Sequence, residues 1–128
     1  MIYVDSSVAL AYLLAEPRTP SPDFWDLALA SSRLLEFEVW NRIHARHMTE
    51  SRGSETQVLL SGIQMLELSE PVLARALEPW PAPVRTLDAL HLATLEYLRR
   101  DPEPVELASY DNRLLTAAQA LGIPIATL

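Results

Sequence analysis

The chain has 128 residues, 49% apolar and 21% charged, a composition ordinary for one globular domain and too apolar for intrinsic disorder. It contains no cysteine and no lysine, which excludes disulfide scaffolds, thiolate zinc sites, cysteine nucleophiles and Schiff-base chemistry. Its net charge of −7 argues against passive nucleic-acid binding and fits a cation-binding site or a basic protein partner.

Ile2-Tyr3-Val4 is a short β-prone run ending at Asp5. Ser6 and Ser7 then cap a helical run over residues 8–15, stopped by Pro17. After the loop Thr19-Pro20-Ser21-Pro22, a second helix is expected over 23–30, with Pro22 suited to its first turn. Ser31-Ser32 gives the next cap signal, for a helix over 34–48 with mixed apolar faces, Leu35, Val39 and Ile43 on one and Leu34, Trp40 and His47 on another, so a well-buried helix is expected. Gly53-Ser54 is expected to break it, and another helix to run over 55–66. A short strand at 66–69 and a helix at 71–77 follow, and then a stiff proline loop around Trp80. Residues 86–100 read as a strong helix with Leu87, Leu90, Ala93 (or Thr94) and Tyr97 on one face. Residues 105–109 form a strand, 112–121 a helix ended by Gly122, and 123–128 a last strand.

Strands separated by helices, too far apart for hairpins, imply a parallel sheet covered on both faces. There are no repeats and no linker, so one domain over residues 1–128 is expected. No segment reaches the roughly 18 apolar residues of a membrane span. The apolar run after Asp5 lacks a positive leader, so a cytoplasmic protein is expected, with no membrane contact. Three scattered glycines make no phosphate-cradling loop.

In open parallel sheets, ligands sit at the carboxyl ends of the strands. Asp5 ends the first strand and Asp111 follows the strand at 105–109, so both lie at that edge. Each is equally suited to capping the helix it precedes, and the two roles are compatible. Asp88 lies in the first turn of its helix between apolar neighbours, where it either serves the helix dipole or points into a partly buried place. Glu36 and Glu38 flank Phe37 and face nearly opposite ways on a helix, so only one can join the aspartates; Glu38 is also spaced for an ion pair with Arg42. Acids converging from distant parts of the chain would repel, unless Mg²⁺ or Mn²⁺ sits among them.

Four pieces then carry a resemblance: Ile2-Tyr3-Val4-Asp5-Ser6-Ser7, Glu38-Val39-Trp40-Asn41-Arg42, the run from Arg85 to Ala93 containing Leu87-Asp88-Ala89-Leu90-His91, and Ser109-Tyr110-Asp111-Asn112-Arg113-Leu114. In this order and spacing the whole chain resembles PIN-domain ribonucleases, and within them the VapC toxins of toxin–antitoxin pairs. The resemblance implies an α/β, three-layer sandwich with a central parallel sheet flanked by helices. It implies Mg²⁺- or Mn²⁺-dependent cleavage of RNA. The implied metal ligands and catalytic acids are Asp5, Glu38, Asp88 and Asp111, with Glu38 favoured over Glu36 because an arginine follows it four residues on. Ser7 matches a hydroxyl residue near the metal, and Ser109 stands where many relatives carry threonine. A VapB-like antitoxin partner and a homodimer are implied as well.

His91 reads as packing or support and not as a catalytic base. Arg42 and Arg46, with His44, His47 and Arg52, form the most basic stretch, either a solvated face or a phosphate-steering patch. Arg85 and Arg113 are placed to touch phosphate or to pair with an acid, and Trp25, Trp40 and Trp80 read as core or dimer contacts. A receiver domain is excluded by the missing lysine and early acidic pair, and a haloacid-dehalogenase-type phosphotransferase by Ser7 in place of a second aspartate. A catalytically silent scaffold of the same fold, binding RNA or a partner, is the alternative.

Overall fold

A computed structural model describes all 128 residues. Strand β1 (Ile2–Val4) leads through Asp5 into helix α1 (Ser6–Leu13). A short 3₁₀ turn (Pro22–Asp26) precedes β2 (Leu29–Ser32), α2 (Leu34–Ala45), α3 (Thr49–Ser61) and β3 (Ile63–Leu66). The chain continues through α4 (Glu70–Ala76), α5 (Thr86–Leu98), β4 (Glu106–Ala108) and α6 (Asn112–Ala120).

The four strands form one sheet in the order β3-β2-β1-β4, with every pairing parallel. The chain moves from β1 outward to β3 and then returns to the other side of β1 with β4. The sheet therefore reverses direction between β1 and β4, and the crevice at their carboxyl ends is where this topology opens a binding site.

Alternation along the central strands splits the core in two. Val4 and Ala108 face a cluster built from Val8 and Leu13 of α1, Leu35, Val39 and Ile43 of α2, and Leu59 and Leu60 of α3. Tyr3 and Leu107 face the other way, toward Leu92 and Leu95 of α5 and Leu114, Ala117 and Ala118 of α6. Successive side chains of a strand point to opposite faces, so Tyr3 and Val4 each anchor one layer. Full burial of a side chain such as Leu107 is worth about 2–3 kcal/mol. The result is the expected α/β sandwich with helices on both faces of a parallel sheet.

Several elements differ from the sequence expectation. The helix expected over 23–30 is only a 3₁₀ turn, and Leu29–Ser32 is a wholly buried strand. Small residues suit it: Ser31 Oγ donates to the Val4 carbonyl at 2.7 Å, binding β2 to β1 where a larger side chain would not fit. Ser32 keeps part of its expected capping role, since its Oγ accepts from the Leu34 N–H at 3.1 Å. Helix α2 stops at Ala45, just before His47 turns to a positive φ of 56°. Gly53 does not break a helix; α3 runs through it beside Trp40. The third strand lies at 63–66 and not 66–69, because Ile63 is the buried residue that docks on Leu29. The closing strand at 123–128 reduces to a single bridge between Leu107 and Ile125. On α5 the expected stripe holds only at its middle: Ala93 and Thr94 are buried but Leu87 and Tyr97 are exposed, and the buried face also takes Ala89, His91, Leu92 and Leu95.

Candidate active site

Four helices present their ends or flanks to the β1–β4 crevice. Asp5 stands between β1 and α1, and Asp111 opens α6 after β4. Asp88 sits in the first turn of α5, and Glu38 on α2. The main-chain N–H of Asp5 donates to the Ala108 carbonyl at 3.0 Å, which extends the sheet pairing to the site itself.

Asp5 is only 5% exposed, and its carboxylate does not cap α1. Its Oδ2 accepts instead from Ser7 Oγ at 2.6 Å and Ser109 Oγ at 2.8 Å. Each hydroxyl is itself fixed by the loop after β4: Ser7 Oγ accepts from the Tyr110 N–H at 2.9 Å, and Ser109 Oγ from the Asp111 N–H at 2.9 Å. A charge buried this deeply is costly unless it is bonded or paired, and two hydroxyls meet part of that cost.

Asp111 does cap its helix: Oδ1 accepts from the Arg113 N–H at 3.0 Å and the Leu114 N–H at 3.4 Å. Asp88 Oδ2 accepts from the Arg85 N–H at 3.2 Å. Glu38 Oε1 meets His91 Nε2 at 2.5 Å. All four carboxylates thus share one habit. One oxygen is tied to the protein, while Asp5 Oδ1, Glu38 Oε2, Asp88 Oδ1 and Asp111 Oδ2 accept no hydrogen bond.

His91 links the acids electrostatically. Burial works to lower its pKa, but the hydrogen bond and charge of Glu38, with the charges of Asp5 and Asp88, outweigh it and hold the imidazole above its ordinary value. Its other nitrogen, Nδ1, lies 2.8 Å from the Tyr3 hydroxyl. Burial holds the Tyr3 phenol well above the ordinary range, so it stays protonated.

Residues 2–127 match the family model for the PIN domain. This chain belongs to the PIN domain family. Ribonuclease VapC47 of Mycobacterium tuberculosis is 34% identical over an alignment covering 99% of this chain and 96% of the relative. Ribonuclease VapC46 of the same organism is 32% identical, covering 97% and 95%. Ribonuclease VapC35, also from that organism, is 28% identical, covering 98% and 95%.

In this PIN fold the two glutamates of α2 part company. Glu36 is claimed by Arg33, which also binds Glu67 Oε1 at 2.8 Å, and so belongs to a surface ion-pair network. Glu38 turns to His91, and the ion pair that its spacing to Arg42 allowed does not form. Glu38 bonds His91, and the charges of Asp5 and Asp88 act on the same ring, while the main-chain N–H of Asp111 is linked to Asp5 through the Ser109 hydroxyl. No three of the Asp, Glu and His side chains approach closely enough to grip an ion unaided. The donor set is nevertheless all carboxylate oxygen, which suits a hard cation, and Mg²⁺ commonly keeps several waters and takes only one or two carboxylates.

Arg85 and Arg113 are exposed and form no ion pair with an acid, and Arg42 and Arg46 are likewise exposed and unpaired. Arg18, not singled out in the sequence, lies over the Tyr110 ring at 4.4 Å beside the crevice. Trp25 and Trp40 pack on one core cluster and Trp80 on the other. Tyr3 was also unmarked in the sequence. The signal was available: a tyrosine in an otherwise aliphatic central strand needs a partner for its hydroxyl.

Proposed function

We propose that this chain is a Mg²⁺- or Mn²⁺-dependent endoribonuclease, the toxin half of a VapBC-type toxin–antitoxin pair. The observation that carries this reading is the set of four half-anchored carboxylates at the point where the sheet reverses. Family membership and the names of the relatives support the same reading.

Asp5, Glu38, Asp88 and Asp111 would hold the hydrated cation through the oxygens that accept no hydrogen bond, one or two of them directly and the others through its waters. A divalent cation bound there supplies stabilisation of charge building on the phosphate and a source of hydroxide at neutral pH. The protein's share is orientation. Ser7 and Ser109 keep one oxygen of Asp5 fixed, so the other is presented without rearrangement. Asp111 is locked by the helix that it caps. The exposed, unpaired guanidinium groups of Arg85 and Arg113 would receive the flanking phosphates. They offset the repulsion that a chain of charge −7 exerts on RNA.

The same acidity fits a VapB-like antitoxin with a basic inhibitory segment, and we extend the reading to a homodimer in solution. The test is cleavage of RNA by the purified chain with Mg²⁺, with Mn²⁺ and with chelator. Cleavage that persists in chelator, or that survives unchanged in the Asp5→Asn variant, would overturn the assignment.

A further inference from the structure

His91 is 2% exposed and spends both ring nitrogens inside the protein. Nε2 meets Glu38 Oε1 at 2.5 Å, across 53 positions of sequence, and Nδ1 meets the Tyr3 hydroxyl at 2.8 Å, across 88. The Tyr3 oxygen is fixed in turn by the Ser32 N–H at 3.2 Å, and the two rings pack edge to face at 5.9 Å. A carboxylate only accepts, so Nε2 carries the proton that it gives to Glu38. The chain of contacts thus runs from the β2 backbone through Tyr3 of β1 and His91 of α5 to Glu38 of α2.

Simple core filling would not need this. An imidazole buried for volume alone would satisfy its nitrogens on nearby backbone, as most buried side-chain polar groups do. Here one end of the ring is pinned by a phenol from the central strand, and the other bonds an acid that forms no other hydrogen bond. Glu38 keeps 18% of its side chain exposed, and without the imidazole its carboxylate would have more than one rotamer open to it.

We propose that His91 is the positioning residue for Glu38: Tyr3 orients the imidazole, and the imidazole holds Glu38 Oε1 so that Oε2 is left for the cation. The proposal rests on the metal-site reading above, and it assigns His91 no proton transfer to substrate, since neither nitrogen is free. Partners that orient metal-ligating carboxylates commonly set affinity as strongly as the ligands do.

The test is Mn²⁺ binding to the purified full chain by calorimetry, with RNA cleavage over a range of Mn²⁺ as a second readout. His91→Phe keeps a ring but no donor, and should weaken Mn²⁺ binding about 10-fold or more. His91→Gln restores an N–H toward Glu38 and should recover most of that loss. Tyr3→Phe removes one hydroxyl and should give an intermediate loss. Cleavage by all three should return toward the wild-type kcat at saturating Mn²⁺. Melting in chelator shows whether each variant folds; should His91→Phe not fold, the Tyr3→Phe and His91→Gln pair decides. Wild-type Mn²⁺ affinity in Tyr3→Phe with no benefit of glutamine, or affinity in His91→Phe equal to or above wild type, would overturn the positioning role alone. A wild-type chain that binds no Mn²⁺ would instead overturn the metal site and this proposal with it.

Discussion

Helices α1 and α6 begin alike, and their first residues end up with different duties. Each follows a short parallel strand, and each starts at an aspartate in extended backbone, φ −85° and ψ 153° at Asp5, φ −88° and ψ 108° at Asp111. Asp111 turns its carboxylate onto the N–H groups of its own helix. Asp5 turns away from α1 and takes hydroxyl hydrogens from Ser7 and Ser109. The local pattern of strand, aspartate and helix is the same in both places. What separates them is Ser7, two residues on, together with a serine 104 residues away in sequence, which reaches Asp5 only because β4 docks beside β1. A capping motif therefore reports where a carboxylate stands, while tertiary neighbours decide what its oxygens do.

The largest effect that sharpens this contrast is on cleavage. Asp5→Asn should lower RNA cleavage roughly 100-fold or more, the scale of a positioned acid or base. It should melt in chelator at or above the wild-type temperature, because removing one of several neighbouring acids relieves repulsion. Next comes the glutamate pair on α2. Glu38→Gln should lower cleavage about 10-fold or more. Glu36→Gln should leave it near wild type and change stability by about 0–1 kcal/mol, since its ion pair lies at the surface. The reverse order in a cleavage assay would show that the wrong flank of α2 faces the crevice.

Ser109→Ala tests one of the neighbours that distinguish the two aspartates. It strips one donor from buried Asp5 and leaves the Asp111 N–H without its acceptor, so a loss of about 1–3 kcal/mol in urea unfolding is expected. The smallest effect separates charge from capping at Asp111. Asp111→Ala should cost about 1 kcal/mol through the lost cap, whereas asparagine, an equally good cap, should hold stability and still impair cleavage. Equal stability losses at Asp5→Ala and Asp111→Ala, both without any loss of cleavage, would erase the contrast.

Much of this arrangement was legible in the residues. Asp5, Asp111, Pro17 and Gly122 punctuate the chain by backbone chemistry that holds in any fold, and they marked β1, β4, α1 and α6. Of the four acids proposed for the site, strand-end position marked Asp5 and Asp111, and the motif resemblance supplied Glu38 and Asp88. What failed did so for physical reasons. Strand β2 is buried on both faces and built from leucine, alanine and serine, so it shows neither alternation nor β-branched residues. Helix α5 is largely apolar, and the stripe through Leu87, Leu90, Ala93 (or Thr94) and Tyr97 met the buried face only at Ala93 and Thr94, beside Leu92 and Leu95. Gly53 was read as a break, but a glycine in a helix costs only about 1 kcal/mol, which tertiary packing readily overrides. The Tyr3–His91–Glu38 chain joins three elements that no local pattern connects.

The pairing of β1 with β4 also sets when the crevice can exist. Strand β1, an inner strand of the sheet, is made well before β4, the segment that completes its acid-bearing end. A nascent chain that has not yet reached Ser109 offers Asp5 a single hydroxyl and no β4 carbonyl for its N–H. Such long-range closure is slow, because the entropy of a long loop is lost before the contact forms. Assembly of the crevice thereby waits until β4 and Ser109 have been made and have docked beside β1.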